Sequence, residues 1–195
     1  MISRRVTWAC LAFVAGALMA PAGAAPVVYG GQLNAASENP PTASTATGTA
    51  IVTIDATANT MHVQADFTGL VAGVTAAHIH CCAVPPTNVG VATVTPTFTG
   101  FPSAVTAGSY DHVFDMTQAT SYNSSFITSH GGTVASALSA LFAGIAAGQS
   151  YFNIHTSTFP GGEIRATLVL TPTVQSNTSR KAHGGAGTFD LPLSP

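Results

Sequence analysis

Met61-His62-Val63-Gln64-Ala65-Asp66-Phe67 puts an apolar residue at every odd position and a polar one at every even position. A period of two belongs to a β-strand, whose side chains alternate between faces. The stretch therefore predicts a half-buried strand with Met61, Val63, Ala65 and Phe67 inward. Comparable runs lie at residues 49–55, 76–80, 109–115, 151–155 and 164–170, separated by Gly, Pro and Asn. Short strands without intervening helices point to an all-β chain, an antiparallel β sandwich or barrel of Greek-key-like order, and away from a parallel α/β sheet.

One segment breaks that period. Val134, Leu138, Leu141, Phe142 and Ile145 recur at helical spacing, with Thr133 placed to cap the start and Gly148 just past the end. A single helix is expected near residues 133–147. Its other face is Ser and Ala, which suits packing across a mouth or edge of the β structure.

At the N-terminus, Arg4 and Arg5 precede an apolar run that ends in Ala22-Gly23-Ala24. The run falls short of the roughly 20 residues a membrane span needs and leads into a small-residue cleavage site, so residues 1–25 read as a signal peptide. No transmembrane segment is expected in the mature chain, whose destination is the periplasm, the cell envelope or the medium. After Pro172 the periodicity is lost, and residues 173–195 read as a mobile polar tail. Residues 26–172 form the domain between.

Charged residues make up 6% of the 195, with five basic against seven acidic. Without the leader, Arg165, Arg180 and Lys181 face seven carboxylates, a net charge of −4. There is no basic stripe for phosphates, and nucleic acid is excluded as a partner. G-x-S-x-G, P-loop and H-E-x-x-H patterns are absent from the sequence, and carboxylates are too scarce to favour a glycosidase acid pair.

Three strings carry the most specific information. They are Ala77-His78-Ile79-His80-Cys81-Cys82, Gly100-Phe101-Pro102, and residues 151–165, YFNIHTSTFPGGEIR. With Asn39-Pro40-Pro41, Thr47-Gly48, Phe126-Ile127-Thr128 and Ala146-Ala147-Gly148, they resemble the CHRD domain, a module named from animal chordin and widespread in exported bacterial proteins. The resemblance covers about residues 27–171. It implies an exported, non-enzymatic binding or structural module whose partner is a protein or another envelope component.

The residues themselves suggest more. On a strand, His78, His80 and Cys82 share one face, and Ala77, Ile79 and Cys81 the other, which should be the buried one. If Phe152 and Ile154 point inward, Tyr151, Asn153 and His155 occupy the polar face as well. A hairpin through residues 156–162 would set Glu163 and Arg165 across from His155, where a carboxylate can orient an imidazole. His78, His80 and His155 are thus candidate ligands for copper or zinc. Cys82, if reduced, is a fourth ligand, and Glu163 a partner behind them. Copper–zinc superoxide dismutases also use an H-x-H strand pair on a Greek-key barrel, but their other ligands and zinc loop have no match here.

The alternative functions are a copper-dependent redox enzyme of that kind and a metal-free adhesion or matrix module in which the histidines only stabilise the fold. Cys81 and Cys82 admit three states: a vicinal disulfide, two thiols, or a thiolate at Cys82. Export favours oxidation. His62, His112, His130 and His183 read as solvated surface.

Overall fold

The structure is a computed structural model that describes residues 23–172. Most of the expected leader and all of the expected tail lie outside the described residues. Among the described residues eight strands run in chain order: β1 Val27–Asn34, β2 Thr47–Asp55, β3 Thr60–Thr68, β4 Val74–Cys81, β5 Gly108–Asp115, β6 Ser150–Thr156, β7 Ile164–Thr167 and β8 Val169–Leu170. Two helices, α1 Ser124–Ser129 and α2 Val134–Ala146, stand between β5 and β6.

All strands belong to one antiparallel sheet, in the order β4-β6-β7-β1-β2-β3-β5 with β8 on β1. The fold class is the expected one, realised as a single sheet curled into a half-barrel. Non-consecutive neighbours such as β1 and β7 give it its crossed connectivity. The two ends of the strand order approach each other through backbone bonds. Val74 N donates to Val105 O at 3.0 Å, and Ala104 N donates to Val74 O at 2.9 Å, so the segment leading into β5 holds the start of β4.

The concave side is the core. Met61, Val63, Ala65 and Phe67 are buried as their alternation required, and Val52, Ile79, Phe152 and Ile154 join them. Phe98, Phe101 and Tyr110 add an aromatic layer from the β4–β5 connection and β5. Helix α2 lies over this core with Ala137, Leu141, Gly144 and Ile145 buried. Its first turn is closed by a reciprocal cap: Ser136 N donates to Thr133 Oγ1 and Thr133 N to Ser136 Oγ. Helix α1 was not expected. It is only six residues long, begins at an Asn123 cap and buries Phe126, too short a pattern for periodicity to show.

Candidate metal centre

β4 and β6 pair in register with His78 opposite Asn153, His80 opposite Tyr151 and Ala76 opposite His155. His78 and His80 are two residues apart on one strand and so share a face. The pairing sets His155 diagonally across from His78 on the same face. The ring centroids lie 4.7 Å apart for His78–His80, 4.6 Å for His78–His155 and 6.0 Å for His80–His155. One ring nitrogen from each lies within 4.8 Å of the others. Small side-chain rotations close that spacing to the ~3.4 Å between nitrogens bound about 2.0–2.1 Å from one tetrahedral ion.

The orientation of each ring is set by a backbone carbonyl. His78 Nδ1 lies 3.2 Å from Pro96 O, His80 Nδ1 2.7 Å from Val89 O and His155 Nδ1 3.0 Å from Pro160 O. A carbonyl only accepts, so each Nδ1 carries the proton and each Nε2 presents a lone pair. All three Nε2 atoms are buried and have no hydrogen-bond partner. An unpartnered buried nitrogen costs free energy, and three of them on rings of one cluster make a candidate donor set.

Burial also keeps the rings neutral. It pushes His78 down to about 3, helped by the charges that His80 and His155 would carry, and His80 down to about 4 against the pull of Val89 O. His155 is lowered for the same first reason, with Pro160 O opposing. Neutral imidazole is the form that binds a metal.

The histidine face is not open, as alternation alone suggested. Asn153 and Tyr151 are buried on it. The cover is the proline-rich segment after β4, tied to the segment before β2. Asn39 Nδ2 donates to Pro86 O at 2.9 Å, and Asn88 Nδ2 to Asn39 O at 2.6 Å. Beneath it lies a buried ion pair the sequence reading missed. Arg165 donates through Nε (2.7 Å) and Nη2 (2.6 Å) to Glu38 Oε2, and Asn153 Nδ2 donates to Glu38 Oε1. The available signal was a lone arginine in an otherwise apolar strand, which must find a carboxylate. The Arg165 guanidinium also sits over the Tyr151 ring, 4.2 Å from its centroid.

Two expected members stand elsewhere. Glu163 is fully buried, but its carboxylate accepts from Ser44 Oγ, Val71 N and Thr156 Oγ1 rather than backing His155. It precedes β7, after Gly162 at φ +126°, where strand alternation does not apply. Cys82 lies one residue past β4 and is joined to Cys81 as a vicinal disulfide. Its sulfur packs on α2, 3.6 Å from Ala140 O, and it is not part of the histidine group. His62 pairs with exposed Asp111 at 2.7 Å, and His130 turns back on Phe126.

The CHRD domain model matches residues 29–168 of this sequence. The chain belongs to the CHRD domain family. No curated protein matches it, and no solved structure does. The match spans all strands from within β1 to β7, so the three histidines, their carbonyl partners and the Glu38–Arg165 pair all lie inside the CHRD domain. No helix among the described residues is long and apolar enough to cross a membrane.

Proposed function

We propose that this CHRD domain is an exported, non-enzymatic module that holds one copper or zinc ion through Nε2 of His78, His80 and His155. The observation that carries the reading is the set of three buried Nε2 atoms without partners, each on a ring whose other nitrogen is committed to a backbone carbonyl. A purely structural role for the histidines leaves those nitrogens unexplained, since structure needs only the Nδ1 bonds. Imidazole suits both copper and zinc, and the neutral state of the rings removes proton competition near pH 7.

A binding role is favoured over turnover because the donor atoms are shut away from solvent, whereas a catalytic metal keeps an open position for substrate. Export is supported by the leader-like N-terminus and by a disulfide, which persists in oxidising compartments. The test is elemental analysis of the chain purified from its native compartment without chelators or a histidine tag. One equivalent of copper or zinc per chain is expected. A metal-free protein that takes up neither copper, in either oxidation state, nor zinc would contradict the reading.

A further inference from the structure

We infer that the ion this site selects is Cu(I), held by three imidazoles without a fourth ligand, in preference to Zn(II) or Cu(II). The inference rests on the reading that His78, His80 and His155 hold a metal, and deepens it by naming the ion.

The first ground is charge. The group contains three histidines and no carboxylate or thiolate. Of the charged side chains nearby, Glu38 is bonded to Arg165 and Asn153, and Glu163 is taken up by Ser44, Val71 and Thr156. Arg165 itself stands behind Tyr151, whose other face meets His80. Among the described residues the surroundings therefore offer no free anion. A dication placed among neutral donors keeps two charges out of water without compensation, and a monocation only one; burying uncompensated charge is what a protein interior tolerates least.

The second ground is coordination number. Zinc in proteins is almost always four-coordinate, and a three-histidine zinc site completes itself with water or hydroxide from an open cavity. Here each Nε2 is closed to solvent. The neighbouring cleft of about 480 Å³, walled by Glu38, Pro41, Pro85, Pro86, Tyr151 and Arg165, has no histidine in its wall. With the three nitrogens closed to solvent, water is disfavoured as a fourth ligand; Asn153 Oδ1, opposite His78 and likewise without a partner, is the one protein oxygen whose coordination the absorption measurement must exclude. Cu(I), a closed-shell monocation content with three donors, fits that enclosure.

The third ground is rigidity. Each ring is fixed at Nδ1 by a carbonyl from the cover or from the β6–β7 turn, and His80 is clamped by the Tyr151 ring. The rings therefore need only the small rotations that close their nitrogens on one ion, with each Nε2 kept from solvent.

The test is competition under anaerobic conditions, using the mature chain with Cu(I) presented as its bicinchoninate complex. The protein is expected to withdraw one equivalent of Cu(I) and to retain it against an excess of Zn(II). X-ray absorption of the loaded wild type should show Cu(I) with three nitrogen donors. His78→Ala and His155→Ala, checked for folding by circular dichroism, should weaken the competition by about 100-fold or more. Displacement of copper by Zn(II), or a four-coordinate ion with an oxygen donor, would overturn the Cu(I) assignment while leaving the metal site standing. Retention of neither ion would overturn the metal site and this inference together. The absorption measurement needs no variant, so a misfolded substitution does not blur the outcome.

Discussion

His80 and Tyr151 face each other directly across the β4–β6 pairing, their rings 4.6 Å apart and within 10° of parallel. Because the Arg165 guanidinium covers the opposite face of Tyr151, the tyrosine is a spacer between a cation and a metal-ligand candidate. Removing the ring with Tyr151→Leu should lower metal affinity by about 10–100-fold, the usual cost of losing a group that orients a ligand. Tyr151→Phe keeps the stack but loses the hydroxyl's bonds to Val89 N (3.3 Å) and Val89 O (3.4 Å), so it should fall between the wild type and Tyr151→Leu. Equal affinities for wild type and Tyr151→Leu would show that the stack does not position His80.

The metal-free protein should lose stability as the medium is acidified, and the sign follows from the depressed imidazoles. In the unfolded chain they take up protons near 6.5, whereas the folded protein resists until about 4 for His80 and about 3 for His78. The unfolded state thus binds more protons throughout that window. The imidazole contribution is complete above about pH 6.5 and is lost progressively toward pH 3. Urea midpoints at pH 7.5 and pH 5 measure it; an unchanged midpoint would mean the three rings are as solvated folded as unfolded.

The Glu38–Arg165 pair should matter more than its surface counterpart. Both side chains are buried, so Glu38→Gln strands a guanidinium that Asn153 cannot satisfy. A loss of about 3–5 kcal/mol is expected by chemical denaturation. Asp111→Asn, which removes the charge from the exposed contact with His62, should leave the denaturation midpoint close to that of the wild type. Similar losses for the two would contradict the buried pair's role.

Gly144 sets helix propensity against packing. Alanine is the better helix former by about 1 kcal/mol, yet a Cβ at Gly144 would run into both sulfurs of the Cys81–Cys82 disulfide. Those sulfurs are tethered to β4 and cannot swing aside as a free side chain would. Gly144→Ala should therefore destabilise by ~1–3 kcal/mol in the oxidised protein. A more stable variant would show that α2 is not seated on the disulfide.

β3 was legible because only one of its faces is buried, so Met61 to Phe67 wrote the period of two directly. The H-x-H pair and His155 were legible through parity alone, which placed them on one kind of face, and the sheet order brought the strands together. β6 was half legible. Its polar face is covered, and Tyr151 and Asn153 are as buried as Phe152, which alternation does not distinguish from solvent exposure. Glu163 escaped parity because it stands one residue before β7, and Cys82 is in the vicinal disulfide that export favours, which removes it as a thiolate ligand. The carbonyls of Pro96, Val89 and Pro160 were beyond reading, since a backbone oxygen leaves no mark in a residue pattern, although they decide which imidazole nitrogen is free.

The measurement that bears most directly on the central claim is the metal affinity of the wild type against His78→Ala and His155→Ala, with His62→Ala and His130→Ala as controls. Competition with chromophoric chelators for copper and for zinc reads all five proteins on one scale. One tightly held ion is expected in the wild type and both controls, and loss of that binding in each of the first two variants. Equal binding by all five proteins, or binding by none, would mean that His78, His80 and His155 serve the fold alone.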